Sequence, residues 1–265
     1  MKQVTDILKN IKKTLHKKGS IEPHQSETPR CQICQDRGLI IVAGEKARIC
    51  NCVKQRYLER QYDYANITPE IQTYSFEKFR LDYYQGEHRE RAASVLGGAQ
   101  QFVYNYLKSP DTPGLLLTGD VGSGKTYLAG SITNFLLNQG VQVLFLVVPD
   151  FLDELRSTYH KGFEDKDVNE VALLRGARQV EVLVLDDLGA HNYTPWTCNK
   201  LYSILNYRLN YHLPVIITTN LDLSEIEKFL GKRTTSRIVQ MCNVYRLTVE
   251  VDIRYQKTTE DKNCL

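Results

Sequence analysis

The stretch GDVGSGKT (119–126) follows a short apolar run and leads into a helical pattern. It fits G-x-x-x-x-G-K-[ST] at every position, in the strand-then-helix context that this motif requires. Glycines at these places let backbone N–H groups turn inward onto phosphate oxygens, and the helix N-terminus adds partial positive charge. Lys125 is expected to reach the β- and γ-phosphates of a nucleotide, and Thr126 to set its hydroxyl on Mg²⁺. Gly119, Asp120, Val121, Gly122, Ser123, Gly124, Lys125, Thr126 and Tyr127 form the expected nucleotide-holding stretch, with ATP or ADP as ligand. A chance glycine-rich turn is the competing reading, and the flanking strand and helix make it a minor one.

VLVLDDLG (182–189) drives four apolar residues into two adjacent acids. A buried carboxylate needs a partner. Beside a phosphate loop that partner is Mg²⁺, held by the loop threonine and an acid at the tip of another strand. Asp186, which ends VLVL, is the expected Mg²⁺ holder with Thr126, directly or at one remove. Asp187 would then orient or deprotonate the attacking water as a general base. Alone, a DD pair would suggest a solvated turn or a helix cap. ITTN (217–220) ends a further strand, and its Thr219–Asn220 pair is expected to bond the γ-phosphate or the water. The alternative for Asn220 is a turn, or a cap on the helix starting near Ser224. In GKRTTSRI (231–238), Arg233 and Arg237 lie four apart, on one helical face. They read either as exposed surface arginines or as an arginine finger that one subunit lends to its neighbour.

Cys31-x2-Cys34 and Cys50-x-Cys52 are separated by fifteen residues. Four thiolates on two short knuckles can close a tetrahedral Zn²⁺ site, and Asp36–Arg37–Gly38 supplies a turn after the first pair. A small segment with little core of its own usually needs such a staple. Unligated or redox-active thiols are the other reading. Cys198, Cys242 and Cys264 lie far from the four and read as ordinary buried or tail cysteines.

These residues need elements to position them. From about residue 111 short apolar runs alternate with helical patterns: GLLLT (114–118), VQVLFLVV (141–148), VEVLVLD, PVIITTN (214–220) and VYRLTVEV (244–251). Helices are expected from Lys125 to about Gln139, from Pro149 to about Tyr159, over 168–178, over TPWTCNKLYSILNYRLNY, and in LSEIEKFL and TSRIVQMC. Near-continuous apolar strands between helices imply a parallel five-stranded α/β sheet covered on both faces. VKQRYLERQYDY (53–64) reads as a helix leading out of the cysteine stretch. An amphipathic, lysine-rich helix is expected over residues 3–18, then a polar linker over 19–30. Apolar residues make up 42% of the chain, enough for a core, and the net charge of +3 neither demands nor forbids nucleic acid. No apolar run approaches the roughly 20 residues of a membrane span, and the lysine-rich start lacks a secretory h-region. A soluble, cytoplasmic protein is expected, and reducing surroundings favour metal over disulfides for the cysteines.

Taken together, GDVGSGKTYLAG, LVLDDLGAHNYTPW, NYRLNYHLPVIITTN and GKRTTSRI resemble the DnaC/DnaI-type bacterial helicase loaders and their IstB-type transposition relatives, all AAA+ ATPases. The resemblance covers about residues 65–255, including the lead-in ANITPEIQTYSFEKF. It implies a P-loop AAA+ core without a helical lid. Asp-Asp in place of the commoner Asp-Glu is typical of the family. The resemblance also implies Asn220 as sensor 1, Arg237 as the finger through which subunits associate, and Arg254 as a terminal arginine of less certain role. Thr234 departs from the family, which often has an aliphatic residue there. Several similar loaders carry a cysteine cluster ahead of the ATPase domain.

Three segments follow: 1–18, a partner-binding helix; 19–64, a linker and four-cysteine zinc module; and 65–265, the ATPase domain. The function implied is ATP-dependent loading of the replicative hexameric DNA helicase onto single-stranded DNA, with ATP binding and hydrolysis as an assembly and release switch. In this family the segment before the ATPase domain grips the helicase; by residues alone, 3–18 reads equally as a solvated lysine-rich tail. STYHKGF (157–163) interleaves Tyr159, His160, Lys161 and Phe163, which suits base stacking as well as ordinary packing. An IstB-type transposition helper and a nucleotide-gated adaptor with little hydrolysis remain the alternatives.

Overall fold

The computed structural model describes residues 29, 31–42, 46–157, 166–190, 193–256 and 258. The expected helix at 3–18, most of the linker, the 159–163 stretch and Cys264 therefore lie outside the described residues. The chain divides into two units, 1–64 and 65–265.

In the first unit, β1 (Leu39–Val42) and β2 (Lys46–Ile49) pair antiparallel, with Leu39 opposite Ile49. Helix α1 (Asn51–Tyr64) follows directly. It starts two residues earlier than expected, so Cys52 lies in its first turn and not on a second knuckle. The hairpin itself went unread, because strands of four residues are too short to show a period-two pattern.

The second unit opens with three 3₁₀ turns, Ile71–Thr73, Phe76–Lys78 and Leu81–Tyr83. Helix α2 (Gly86–Lys108) then buries Ala92, Val95, Ala99, Phe102, Val103 and Tyr106. That spacing of three and four is an amphipathic stripe visible in the sequence, though the helix was not anticipated. Five strands form one parallel sheet: β3 (Gly114–Gly119), β4 (Val143–Val147), β5 (Val182–Leu188), β6 (Val215–Thr219) and β7 (Cys242–Leu247), in the order β4-β5-β6-β3-β7. The expected α/β class and strand count hold. Helices α3 (Lys125–Asn138), α4 (Val148–Ser157), α5 (Lys166–Gln179), α6 (Pro195–Asn210), α7 (Leu223–Leu230) and α8 (Lys232–Met241) connect the strands. Leu115–Leu117, Leu183–Leu185 and Val215–Ile217 are all essentially inaccessible, which is why these strands read as unbroken apolar runs.

Local signals set the helix starts. Thr194 caps α6 reciprocally with Thr197, and Pro195 occupies the first turn as expected. Asp222 caps α7 with Glu225 in the same way. The fifth strand ends at Leu247, four residues short of the expected Val251. There the backbone leaves the ladder for the phosphate loop: Asp120 N donates to Leu247 O (3.2 Å) and Val249 N to Asp120 Oδ2 (3.1 Å). Among the described residues, one helical turn at 253–256 follows. Arg208 is fully buried and donates to the carbonyls of Ala177 (3.1 Å), Val180 (2.9 Å) and Pro214 (2.6 Å). It ties the C-terminal end of α5 to the feet of β5 and β6, satisfying carbonyls that would otherwise be stranded in the core. No helix among the described residues is long and apolar enough to cross a membrane.

Candidate nucleotide site and cysteine cluster

A cleft of about 560 Å³ opens at the C-terminal ends of β3, β5 and β6. Ligands in open parallel α/β sheets sit at this end of the strands. Its floor is the phosphate loop, from Val121 to Tyr127. Two glycines are required there. Gly122 has φ +69°, and a Cβ on it would lie 1.9 Å from Asp252 Oδ1; Gly124 has φ +95° and would meet the Tyr84 hydroxyl at 2.9 Å. Only glycine fits this geometry without strain. Lys125 Nζ donates to the carbonyls of Gly119 (2.9 Å) and Asp120 (2.6 Å). Burial lowers its pKa to about 8, although Asp120, Asp187 and Asp186 pull the other way.

The two acids divide their contacts. Asp186 is 5% exposed, and its Oδ1 accepts from Thr126 Oγ1 (2.9 Å) and Thr218 Oγ1 (2.7 Å). Burial raises its pKa, while the two hydroxyls oppose that rise. Such a carboxylate, next to a loop hydroxyl, is suited to a hard divalent cation with oxygen ligands. In a regular strand Asp187 would point to the opposite face from Asp186. It does not, because the β5–β6 register shifts between Leu185 and Leu188 and Asp187 adopts φ +58°. A non-glycine residue in that region costs about 1–2 kcal/mol. The outcome is that both carboxylates line one cleft. Asp187 N donates to Thr218 Oγ1 (2.9 Å), and Asn220 Nδ2 donates to Asp187 Oδ1 (3.2 Å).

The ITTN expectation needs one correction. Thr219 does not face the cleft; its hydroxyl accepts from Leu221 N (3.0 Å) and donates to Leu188 O (2.5 Å), holding the turn. Strand alternation puts Thr218 and Asn220 on the cleft side instead. Thr218, which touches both acids, was overlooked, and the two-residue period was the signal that would have found it. Asn220 does not cap α7, since Asp222 does.

The remaining wall comes from the 3₁₀ turns, to which the sequence pattern assigned no role. Tyr74 stacks on Tyr127 with centroids 4.3 Å apart, and Phe79 on Tyr84 at 5.7 Å. Tyr84 also donates its hydroxyl to Ser123 O (2.6 Å), bracing the phosphate loop. Arg254 lines the cleft and forks onto Asp252, with Nη2 at 2.7 Å from Oδ2. Arg237 sits on α8, near Gln240 (3.4 Å), and is not among the residues lining this cleft. Arg233 is exposed, whereas Thr234 is 2% exposed and packs in the core.

The four cysteines Cys31, Cys34, Cys50 and Cys52 converge, with all sulfur atoms within 4.8 Å of one another. Cys31 and Cys50 are 3.8 Å apart, Cys34 and Cys52 3.3 Å. Ligands at 2.3 Å in a tetrahedron stand about 3.8 Å apart, so the cage has the size of a zinc site. Crowding separates the thiols: the Cys34 N–H holds Cys31 down at about 6, while burial pushes Cys52 up to about 12. Gln35 N donates to Cys31 O (2.9 Å) and Arg37 N to Cys34 O (3.0 Å), shaping the first knuckle. Sequence reasoning missed Arg56, whose Nη2 lies 3.3 Å from Cys52 Sγ.

Comparison with known proteins places this architecture. The replicative helicase loader DnaC of Escherichia coli K12 is 27% identical over 181 residues, spanning 68% of this chain and 69% of that protein. The phage-like element PBSX protein XkdC of Bacillus subtilis is 26% identical over 248 residues, 86% of each chain. A crystal structure of DnaI superposes with a TM-score of 0.55 at 28% identity, covering 70% of this chain and 94% of that one. Residues 55–257 match the IstB-like ATP binding protein family. With a phosphate loop, paired acids and a five-stranded parallel AAA+ sheet inside that span, the chain belongs to the IstB-like ATP-binding family.

Proposed function

We propose that this protein is an ATP-driven loader of a replicative hexameric DNA helicase onto single-stranded DNA. The observation that carries the reading is the cleft itself, a phosphate loop facing two acids and Asn220, in a chain similar over two thirds of its length to a replicative helicase loader. Lys125 exchanges its two carbonyl partners for the β- and γ-phosphates, and loop N–H groups hold the rest of the polyphosphate. Thr126 and Asp186 hold Mg²⁺, which when bound offsets phosphate charge. Asp187 takes the proton of the attacking water, with Asn220 fixing its carboxylate. Arg237 stands away from its own cleft, which suits a finger reaching the phosphates of a neighbouring subunit. Thus ATP links subunits, and hydrolysis releases them.

Cys31, Cys34, Cys50 and Cys52 hold Zn²⁺, which when bound fixes the knuckle to the start of α1. The segment ahead of the ATPase domain grips the helicase.

Purified protein is expected to hydrolyse ATP slowly alone and faster with single-stranded DNA and the helicase. Arg237→Ala should bind ATP normally and lose the stimulated rate; an unchanged rate removes the finger role. Co-purification with the hexameric helicase should disappear when residues 1–60 are deleted. Capture of a transposase instead would favour the transposition-helper reading, and stimulated turnover indistinguishable from zero would favour an adaptor.

A further inference from the structure

Arg56 lies one helical turn after Cys52 on α1, and its Nη2 donates to Cys52 Sγ at 3.3 Å. The same nitrogen contacts Asp36 Oδ1 at 2.6 Å, and that oxygen accepts the Cys31 N–H at 3.0 Å. Cys31 and Cys52 are the first and last of the four sulfur donors. One guanidinium therefore joins the knuckle at 31–38 to the helix that carries the final thiol. A divalent ion in four thiolates leaves two net negative charges, and the module has little apolar packing to screen them: among its described hydrophobic residues only Cys34 and Cys50 are buried.

We propose that Arg56 is a positioning residue for the metal, neutralising the thiolate cage and clamping its two halves through Asp36. This rests on the zinc reading of the cysteine cluster. An arginine suits the place because its Nη2 carries two N–H donors, reaching sulfur and carboxylate at once, and the guanidinium stays charged at any working pH. Hydrogen bonds to a coordinated thiolate draw charge off the sulfur and fix its direction, and partners of this kind typically set metal affinity by 10- to 100-fold.

The test uses the full chain, loaded with zinc or cobalt. Zinc affinity is measured by competition with a chromophoric chelator, and the cobalt form is read by its thiolate charge-transfer absorption. Arg56→Gln is expected to weaken zinc about 10- to 100-fold while keeping the tetrahedral four-thiolate cobalt spectrum. Arg56→Lys should recover part of the loss, because it restores the charge without the longer, planar guanidinium. Asp36→Asn should cost less than Arg56→Gln, since Arg56 still meets Cys52. Wild-type affinity in Arg56→Gln would overturn the inference, as would equal losses in Arg56→Gln and Asp36→Asn, which would mark a plain staple. A wild-type protein that binds neither metal through four thiolates would sink the zinc reading, and this inference with it.

Discussion

The nucleotide cleft and the cysteine cluster both gather charged groups at the end of a strand, but they rest on different supports. Under the cleft lie three strands whose Leu115–Leu117, Leu183–Leu185 and Val215–Ile217 are sealed from water. That core fixes Thr126, Asp186 and Thr218 before any ligand arrives, and the three already share hydrogen bonds. The cysteine cluster stands on a hairpin of two four-residue strands and the first turn of a helix, where Ile33, Leu39, Ile49 and Val53 are all exposed. Burial of apolar surface, at about 25 cal/mol per Å², cannot hold it. One site thus rests on a buried sheet, while the other has little apolar core beneath it.

The largest effect should fall on the cluster. Cys34→Ser is expected to abolish zinc binding and remove hydrogen-exchange protection from residues 31–64, because structural zinc contributes about 10–16 kcal/mol to such modules. Protection at Leu115–Leu117 should stay unchanged; if it falls in parallel, the two sites do not rest on separate supports. Next in size, Asp187→Asn should lower the single-turnover ATP hydrolysis rate by about 10²- to 10⁴-fold, the usual share of a general base. ATP affinity should persist, as expected of a cleft shaped by the sheet. Retained hydrolysis would remove Asp187 from that role.

The smallest effect is a pH dependence. Burial lowers Lys125 to about 8 in the ligand-free cleft, and bound phosphates favour its charged form. Below that value Lys125 carries its proton before and after binding, so ATP affinity is flat. Above it, binding must take up a proton, and affinity should fall by up to about tenfold per pH unit, equivalent to 1.36 kcal/mol. Titration calorimetry from pH 7 to 9 reads the slope, and Lys125→Arg should flatten it. A flat wild-type profile would mean that the lysine is already charged in the empty cleft.

Much of the cleft was legible because its chemistry depends on local sequence. The phosphate loop needs glycines at fixed offsets, and a short stretch of backbone decides its shape. The four cysteines were equally plain, since thiols at knuckle spacing in a small module have few other uses. Thr218 and Arg56 were not read. Each acts through an atom that belongs to a different element, Asp186 across the sheet and Asp36 across the module. The strand period could have put Thr218 on the cleft side, but which carboxylate each side chain meets is set by the fold. Helix α2 also went unread, although the spacing of its buried residues from Ala92 to Tyr106 is local to the sequence.

By itself the sequence determined the α/β class, the phosphate loop, the paired acids and the cysteine cluster, because hydrophobic period, turn chemistry and donor type are properties of neighbouring residues. Only the tertiary structure decided how the two acids are used. Strand geometry alone would have sent Asp186 and Asp187 to opposite faces. The shifted β5–β6 register and the left-handed backbone at Asp187 bring both to one cleft, and that depends on β6 lying alongside. The same holds for the fifth strand, which ends at Leu247 because the Asp120 carboxylate, far away in sequence, takes the Val249 N–H for the phosphate loop.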